Sequence, residues 1–368
     1  MPVLTEVSAF VRTRVEPVET VLDAGGDDAR AELARLREEA KSLGLWALPL
    51  PRELGGGGLG LTEYFAHAEA EGSSDHGPAA LGSACLLDVT MFQRHATATV
   101  RDRYLKRLVA GDITGSYAMT EPGVAGSDPA ASRTSATWVG EGWLLNGRKW
   151  FTTGAGSAEY VTVLASGSLF VVPVRTPGFR VIREIPVLGA AGQFEIALDD
   201  VVVPADHLLG EGGDGLAIAG TRLALGRTLR CLRWIGQAER AFALMCPRAN
   251  ERQIGGSALA DRQLVQQHVF ESLLAIRSAR ALTHQAAELV ALEQDARTEI
   301  GLAKVAAARA LSQATDSAIQ VFGAEGLGPD TPLPMLARIA RTARILDGAD
   351  ELHISATARR VLTSRRAD

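Results

Sequence analysis

Cysteine is scarce in this chain: Cys85, Cys231 and Cys246 are the only three in 368 residues. An odd, scattered set excludes a disulfide framework and a cysteine-built zinc site. It leaves buried spectator thiols in a reducing, cytoplasmic setting, and no metal is expected. Basic charge is not in excess either. Lys and Arg number 38 against 43 Asp and Glu, a net charge of −5, so nothing marks the chain as a nucleic-acid binder. Long hydrophobic runs are missing. Charge interrupts every apolar stretch short of bilayer-spanning length, so no membrane segment is expected. The opening "MPVLTEVSAFVRTRVEPVE" carries early acids and no apolar core, unlike a secretory signal. What remains is an ordinary globular composition, 46% hydrophobic, with enough length to bury a large core.

The hydrophobic period changes twice along the chain. Up to about residue 112 it is helical, as in "DDARAELARLREEAKSLGL", with an acidic start and Gly44 near the end. "TEYFAHAEAEG" and "ATVRDRYLKRLVAG" follow the same spacing. From 113 to 212 the segments are short and β-branched or aromatic: "GWLLNGRKWFTT", "EYVTVLAS", "SLFVVPV", "GFRVIREI" and "QFEIALDDVVVP". They predict a small antiparallel β domain, with turns at "NGRK" and "SGSL". From 213 to 368 long Ala/Leu-rich segments predict an antiparallel four-helix bundle. The expected organisation is α+β in three domains: 1–112, 113–212 and 213–368.

Gly55, Gly57 and Gly60 in "LGGGGLGLTE" have the spacing of a dinucleotide-binding loop. That spacing carries meaning only between a strand and a helix of a βαβ unit. The two prolines in the preceding "LGLWALPLPREL" and the lack of an alternating α/β pattern favour a tight loop between helices. The block "YAMTEPGVAGSDPAASRTSA" is different. A strand runs into a turn dense in Thr, Pro, Gly and Ser, whose exposed N–H and hydroxyl groups suit a phosphate or a polar heterocycle. About 20 residues later comes "NGRKWFTTGAG". Near the other end, "RILDGADELH" packs Asp347, Asp350 and Glu351 into five positions of a basic and apolar region. On spacing alone that run reads as a solvated turn.

Together these blocks resemble the acyl-CoA dehydrogenase family of flavoproteins. Tyr117–Asp128 matches its aromatic-x-x-T-E-P…S-D pattern, and Lys149–Gly154 matches its K-W-x-[TS]-x-G pattern. "PRELGGGGLG", "LDDVVVP" and "AIQVFGAEGLG" follow in the family's order, so the resemblance spans the chain. It implies the family fold: an N-terminal helical domain, a middle β domain and a C-terminal four-helix bundle. It also implies FAD. The Met119 backbone and Thr120 hydroxyl should face the flavin pyrimidine, Ser127 the pyrophosphate, Trp150 the ring system, and Thr152 the flavin N5. Preorganised donors at these points stabilise charge on reduced flavin. Arg252 matches the arginine that reaches a neighbouring subunit's cofactor, and Gln320 with Gly323 match a second such element. A homodimer or homotetramer follows. Glu351 falls where relatives have a residue touching FAD.

The resemblance also changes the reading of the acidic run. The family's base is a glutamate opening an E-G-T turn, and here "DGADE" puts Asp347 there, with Gly348 behind it. Tyr117, Ser127, Arg227 and Gly348 are implied on the substrate side. The implied reaction is α,β-dehydrogenation of an acyl thioester. Asp347 takes the α-proton from an apolar pocket, where burial strengthens a carboxylate base, and the β-hydride goes to flavin N5. A divergent branch of the family carries Asp in D-G-x-x-E-x-H and the extra residue seen here at Val124. The family's alternative base position is Gly226, which has no carboxylate.

The chain departs from the family pattern at several points. No Lys or Arg lies between Arg183 and Arg222, where relatives hold CoA, so an acyl or peptidyl carrier protein competes with CoA as thioester carrier. Ala349 replaces the threonine of the turn, and glycine replaces the aromatic after Arg252. Two other readings therefore stand beside the first: a same-fold flavin oxidase or monooxygenase, resembling nitroalkane oxidases or hydroxylases, and a non-catalytic family subunit. An electron-transfer flavoprotein is the implied electron acceptor.

Overall fold

The computed structural model describes residues 2–365. The first stretch forms helices α1 (Pro2–Phe10), α2 (Glu19–Ala24), α3 (Gly26–Ser42), α4 (Leu61–Glu71), α5 (Gly77–Ala80), α6 (Leu86–His95) and α7 (Ala98–Ala110). In α3 the first turn holds Asp27 and Asp28 and the last holds Lys41, each complementing the helix dipole. Leu36 and Ala40 face inward, and Gly44 ends the run at φ 71°, a left-handed conformation that costs glycine little. The glycine-rich stretch is a loop after a short 3₁₀ turn, Arg52–Leu54, with no strand before it. A Cβ on Gly56 would lie 2.3 Å from the Leu50 carbonyl oxygen. Close backbone approach therefore explains that glycine.

The middle of the chain forms strands β1 (Gly115–Ala118), β2 (Ser135–Trp138), β3 (Gly142–Thr153), β4 (Tyr160–Ala165), β5 (Ser168–Pro173), β6 (Phe179–Glu184), β7 (Gln193–Pro204) and β8 (Leu208–Leu209). Two four-stranded sheets result, ordered β1-β4-β5-β8 and β2-β3-β7-β6. Leu145, Ile196 and Leu198 of one sheet share a core with Val161, Val163 and Phe170 of the other. β4 and β5 are buried almost throughout, which explains why they read as unbroken apolar runs rather than alternating ones. Two expectations need correction. β1 pairs with β4 in parallel, so the domain is not wholly antiparallel. "NGRK" is not a turn: β3 passes straight through it, with a register shift between Leu145 and Gly147. Two β7 residues, Asp199 and Asp200, lie opposite Asn146 there, and β3 continues without reversing. The "SGSL" turn is present between β4 and β5.

The last stretch forms α8 (Gly215–Glu251), α9 (Gln263–Ala291), α10 (Arg297–Phe322), α11 (Leu333–Ala343) and α12 (Asp350–Ser364), with a small hairpin, β9 (Gln253–Ile254) and β10 (Ser257–Ala258), after α8. The bundle thus has a fifth helix beyond the expected four. Its core joins Trp234, Ile235 and Met245 of α8 to Ile276 of α9 and Leu311 of α10, with many alanines between. Small residues let these helices approach closely. A Cβ on Gly236 would meet the Glu69 carbonyl oxygen of α4 at 2.2 Å.

The chain divides into two compact units. Among the described residues, one takes in those up to Pro17, Gly60–Pro78 and those from Ala224 onward; the other takes in Val18–Leu59 and Ala79–Leu223. The N-terminal helices are therefore shared out between a helical unit and a unit built on the two sheets. Among the described residues no helix is long and apolar enough to cross a membrane.

Candidate active site

In the helical unit, the turn between α11 and α12 separates the three carboxylates of the acidic run. Asp347 and Gly348 are both left-handed, at φ 57° and 97°. Aspartate tolerates that region better than most side chains do, and a Cβ on Gly348 would press on His353 Nε2 at 2.9 Å. The Asp347 carbonyl accepts from Arg227 Nε at 2.8 Å and contacts His353 Nε2 at 3.1 Å. Burial holds His353 below its usual pKa, which keeps the ring neutral and lets an Nε2–H donate to that oxygen. Burial also lowers Arg227, against the pull of Asp347. The Asp347 side chain itself is 27% exposed, and Arg230 Nε lies 3.6 Å from its Oδ2. Arg230 also lies 3.7 Å from Asp75. On this unit an arginine therefore flanks Asp347.

Asp350 has the opposite environment. It is buried, Lys304 Nζ donates to it at 2.9 Å and Arg344 Nε at 3.1 Å. Its amide closes the turn on the Arg344 carbonyl. Asp350 is the structural carboxylate of the run, and Glu351 is exposed in the first turn of α12. Lys304, buried on an Ala-rich face of α10, was the signal available in the sequence: it is the one lysine of that helix.

In the sheet-built unit, β1 carries Tyr117 into the loop after Met119. Glu121 anchors that loop. It accepts from Ser132, Thr134 and the Arg133 amide, and from the buried Lys149 of β3 at 2.7 Å. Lys149 also donates to the Met119 carbonyl at 2.9 Å. Burial alone would raise the Glu121 carboxyl, but these donors outweigh it and hold it at about 2. Both residues belong to the quoted motifs, yet their role as a buried clamp is visible only in three dimensions. The clamp predicts an acid response. The folded pKa lies below the ordinary 4.5, so its contribution is complete above that value and lost as pH falls toward 2. Equilibrium unfolding followed against pH should show falling stability across this window in the wild type, with a flatter profile in Glu121→Gln.

A second register shift, between Lys149 and Thr152, places Trp150 and Phe151 opposite Glu195 alone. Phe151 sits at φ 50° and is exposed, while Thr152 turns inward and is fully buried. Trp150 Nε1, Thr152 Oγ1 and the Tyr117 hydroxyl are buried with no hydrogen-bond partner. Such orphaned groups are costly unless a ligand satisfies them. Burial pushes Tyr117 up to about 12, so its hydroxyl stays protonated, and the Arg222 guanidinium stacks 4.0 Å from its ring centre. Met119, Thr120 and Gly126 line an adjoining cleft. Ser127 is exposed on the same loop.

Arg252, Gln320 and Gly323 are exposed on the helical unit. Arg252 lies between the end of α8 and β9, and Gly323 ends α10 at φ 69°. The Arg248–Glu325 ion pair at 2.6 Å ties those two regions together. Burial drives the Cys85 and Cys231 thiols up to about 12, which suits spectators. Among the described residues no group of His, Cys, Asp and Glu could hold a metal.

Comparison with known proteins gives three family matches in chain order: acyl-CoA dehydrogenase, N-terminal domain, over residues 3–112; middle domain, over 116–201; and C-terminal domain, over 213–362. A Mycobacterium tuberculosis protein named as a probable acyl-CoA dehydrogenase, FadE2, is 36% identical over 99% of this chain and 95% of its own length. Acyl-CoA dehydrogenase family member 11 of Gallus gallus is 32% identical over 97% of this chain, which spans only 50% of that longer protein. A solved structure from Mycobacterium abscessus, provisionally assigned as an acyl-CoA dehydrogenase, superposes with a TM-score of 0.91 at 32% identity, covering 99% of this chain and 98% of that one.

Proposed function

The chain belongs to the acyl-CoA dehydrogenase family, and from that premise we propose that it oxidises an acyl thioester between its α- and β-carbons, with FAD as cofactor and Asp347 as base. The observation that carries the reading is the Asp347 turn. Two side chains hold the backbone of this one carboxylate, while the neighbouring Asp350 is buried in ion pairs and Glu351 faces solvent. FAD, when bound, supplies the two-electron acceptor for the hydride that leaves the β-carbon.

The residues present fit such a group. The orphaned Trp150 Nε1 and Thr152 Oγ1 are donors waiting for acceptors, as the edge of a polar heterocycle provides. Met119 and Thr120 would hold its pyrimidine side and Ser127 its phosphates; Glu351, Arg252, Gln320 and Gly323 match the family's other cofactor-touching positions, the last three those that reach a neighbouring subunit in a homodimer or homotetramer. The Glu121–Lys149 clamp keeps the loop that bears Met119 and Thr120 in shape before any ligand arrives, which is preorganisation rather than induced order.

Asp347 would accept the α-proton on a carboxylate oxygen. Arg227 and His353 hold its carbonyl, so the base is aimed by its backbone as well as by its rotamer. Misplacement of about 1 Å at such a position can cost about 10²-fold in rate. Gly348 keeps the turn left-handed, and Arg227 bounds the substrate side on this unit. The absence of cations between Arg183 and Arg222 supports a carrier-protein arm as an alternative to CoA, because a pantetheine arm needs fewer contacts to a nucleotide. Electrons would pass on to an electron-transfer flavoprotein.

The test is the visible flavin spectrum of the purified protein during anaerobic addition of saturated acyl thioesters, offered on CoA and on pantetheine. Bleaching of the oxidised band is the expected result. A stable band with every thioester, bleached instead by a nitroalkane, would replace this reading with the oxidase one.

A further inference from the structure

Building on that reading, we infer that the acyl group this enzyme prefers carries a second anionic group, a carboxylate or a phosphate, and that Arg230 recognises it. Arg227 and Arg230 stand one turn apart on α8, so they project on the same side of the helix. Among the described residues, neither has a carboxylate at hydrogen-bond distance. Arg227 donates to the neutral Asp347 carbonyl. Arg230 lies 3.6 Å from Asp347 Oδ2 and 3.7 Å from Asp75 Oδ1, both beyond a hydrogen bond. Its side chain is 33% exposed and can still take a ligand.

An unsubstituted hydrocarbon chain laid beside Asp347 would strip water from Arg230 and leave it only Asp347 and Asp75, both beyond hydrogen-bond distance, which is unfavourable for a desolvated charge. It would also leave a cation beside the carboxylate that must become neutral on taking the proton. A carboxylate on the substrate removes both difficulties. It offers the planar, bidentate partner that a guanidinium fits best, and it draws Arg230 away from Asp347. Recognition and release of the base are then one event. The contact distances also limit length. The second anion must lie within roughly 10 Å of the α-carbon, the Arg230–Asp347 separation plus two hydrogen-bond lengths. That selects short acyl chains.

The experiment compares adipoyl-CoA with hexanoyl-CoA, the same chain with and without the terminal carboxylate, on the FAD-loaded enzyme. Wild type, Arg230→Met and Arg230→Lys are each measured by kcat/KM and by equilibrium binding of the matching unreactive CoA thioethers. Wild type is expected to favour adipoyl-CoA by on the order of tenfold. Arg230→Met should erase that ratio, chiefly by losing the adipoyl substrate, and Arg230→Lys should keep part of it. A wild-type preference for hexanoyl-CoA in both rate and binding, or an adipoyl preference unchanged in Arg230→Met, overturns the inference. A chain ending in phosphate, run in parallel, decides which anion is meant. If neither thioester bleaches the flavin, the dehydrogenase reading fails, and the thioether affinities still decide the role of Arg230 separately.

Discussion

Asp347→Asn should bind flavin normally and lose substrate-driven flavin reduction by about two to four orders of magnitude, the range that a positioned general base supplies. Asparagine has the same size and also tolerates the left-handed region. The groups that hold this turn act on the backbone: Arg227 and His353 both reach the Asp347 carbonyl, which the substitution leaves in place. The turn should therefore survive, and the loss should fall on the chemical step. Stopped-flow reduction at saturating substrate isolates that step, and a flavin absorbance equal to wild type shows that the cofactor site is intact. A variant that still reduces its flavin at the wild-type rate would remove Asp347 from the mechanism. Asp347→Glu is the complementary probe. It moves the carboxylate by roughly 1.5 Å, one carbon–carbon bond, and should recover only part of the rate.

Lys304→Met should cost about 3–5 kcal/mol of stability, the usual penalty for leaving one member of a buried ion pair alone. Lys304 is fully buried and Asp350 is 1% exposed, so water cannot take over the missing contact. Arg344 remains, but its side chain is 47% exposed and reaches Asp350 from the rim. Urea denaturation should show the loss. The double variant Lys304→Met/Asp350→Leu should recover much of it, because removing both charges together also removes the desolvation cost. If the single variant is as stable as the wild type, Asp350 is not the structural carboxylate of the run. Asp350 lies three residues beyond Asp347, so Lys304→Met should also slow turnover by loosening the base.

Much of this molecule was legible in the residue order. A period of three to four residues marks α3 and the long C-terminal helices, and β-branched runs mark β4, β5 and β7, because burial of one face or both leaves its rhythm in the chain. The motif around Thr120 and Trp150 identified the family, since backbone donors and hydroxyls at fixed spacing are local chemistry. The same spacing misled at "NGRK", where a bulge and a turn call for similar residues and only the partner strand β7 decides between them. The parallel pairing of β1 with β4 was likewise beyond local pattern.

The acidic run shows where sequence alone stops. Asp347, Asp350 and Glu351 are nearly equivalent as letters. Asp350 became structural because Lys304, 46 positions away, is buried against it. Asp347 differs because Arg227, 120 positions away, holds its carbonyl and leaves its carboxylate partly exposed. The arginine beside that carboxylate, Arg230, is one of several along α8 and cannot be singled out by spacing. By itself the sequence determined the helices, the strands and the family, because these follow from short-range periodicity and local motifs. The tertiary structure alone decided which carboxylate is buried, which lies half-exposed beside an arginine and which faces water, because a charge takes its character from partners and solvent that only the folded chain brings to it.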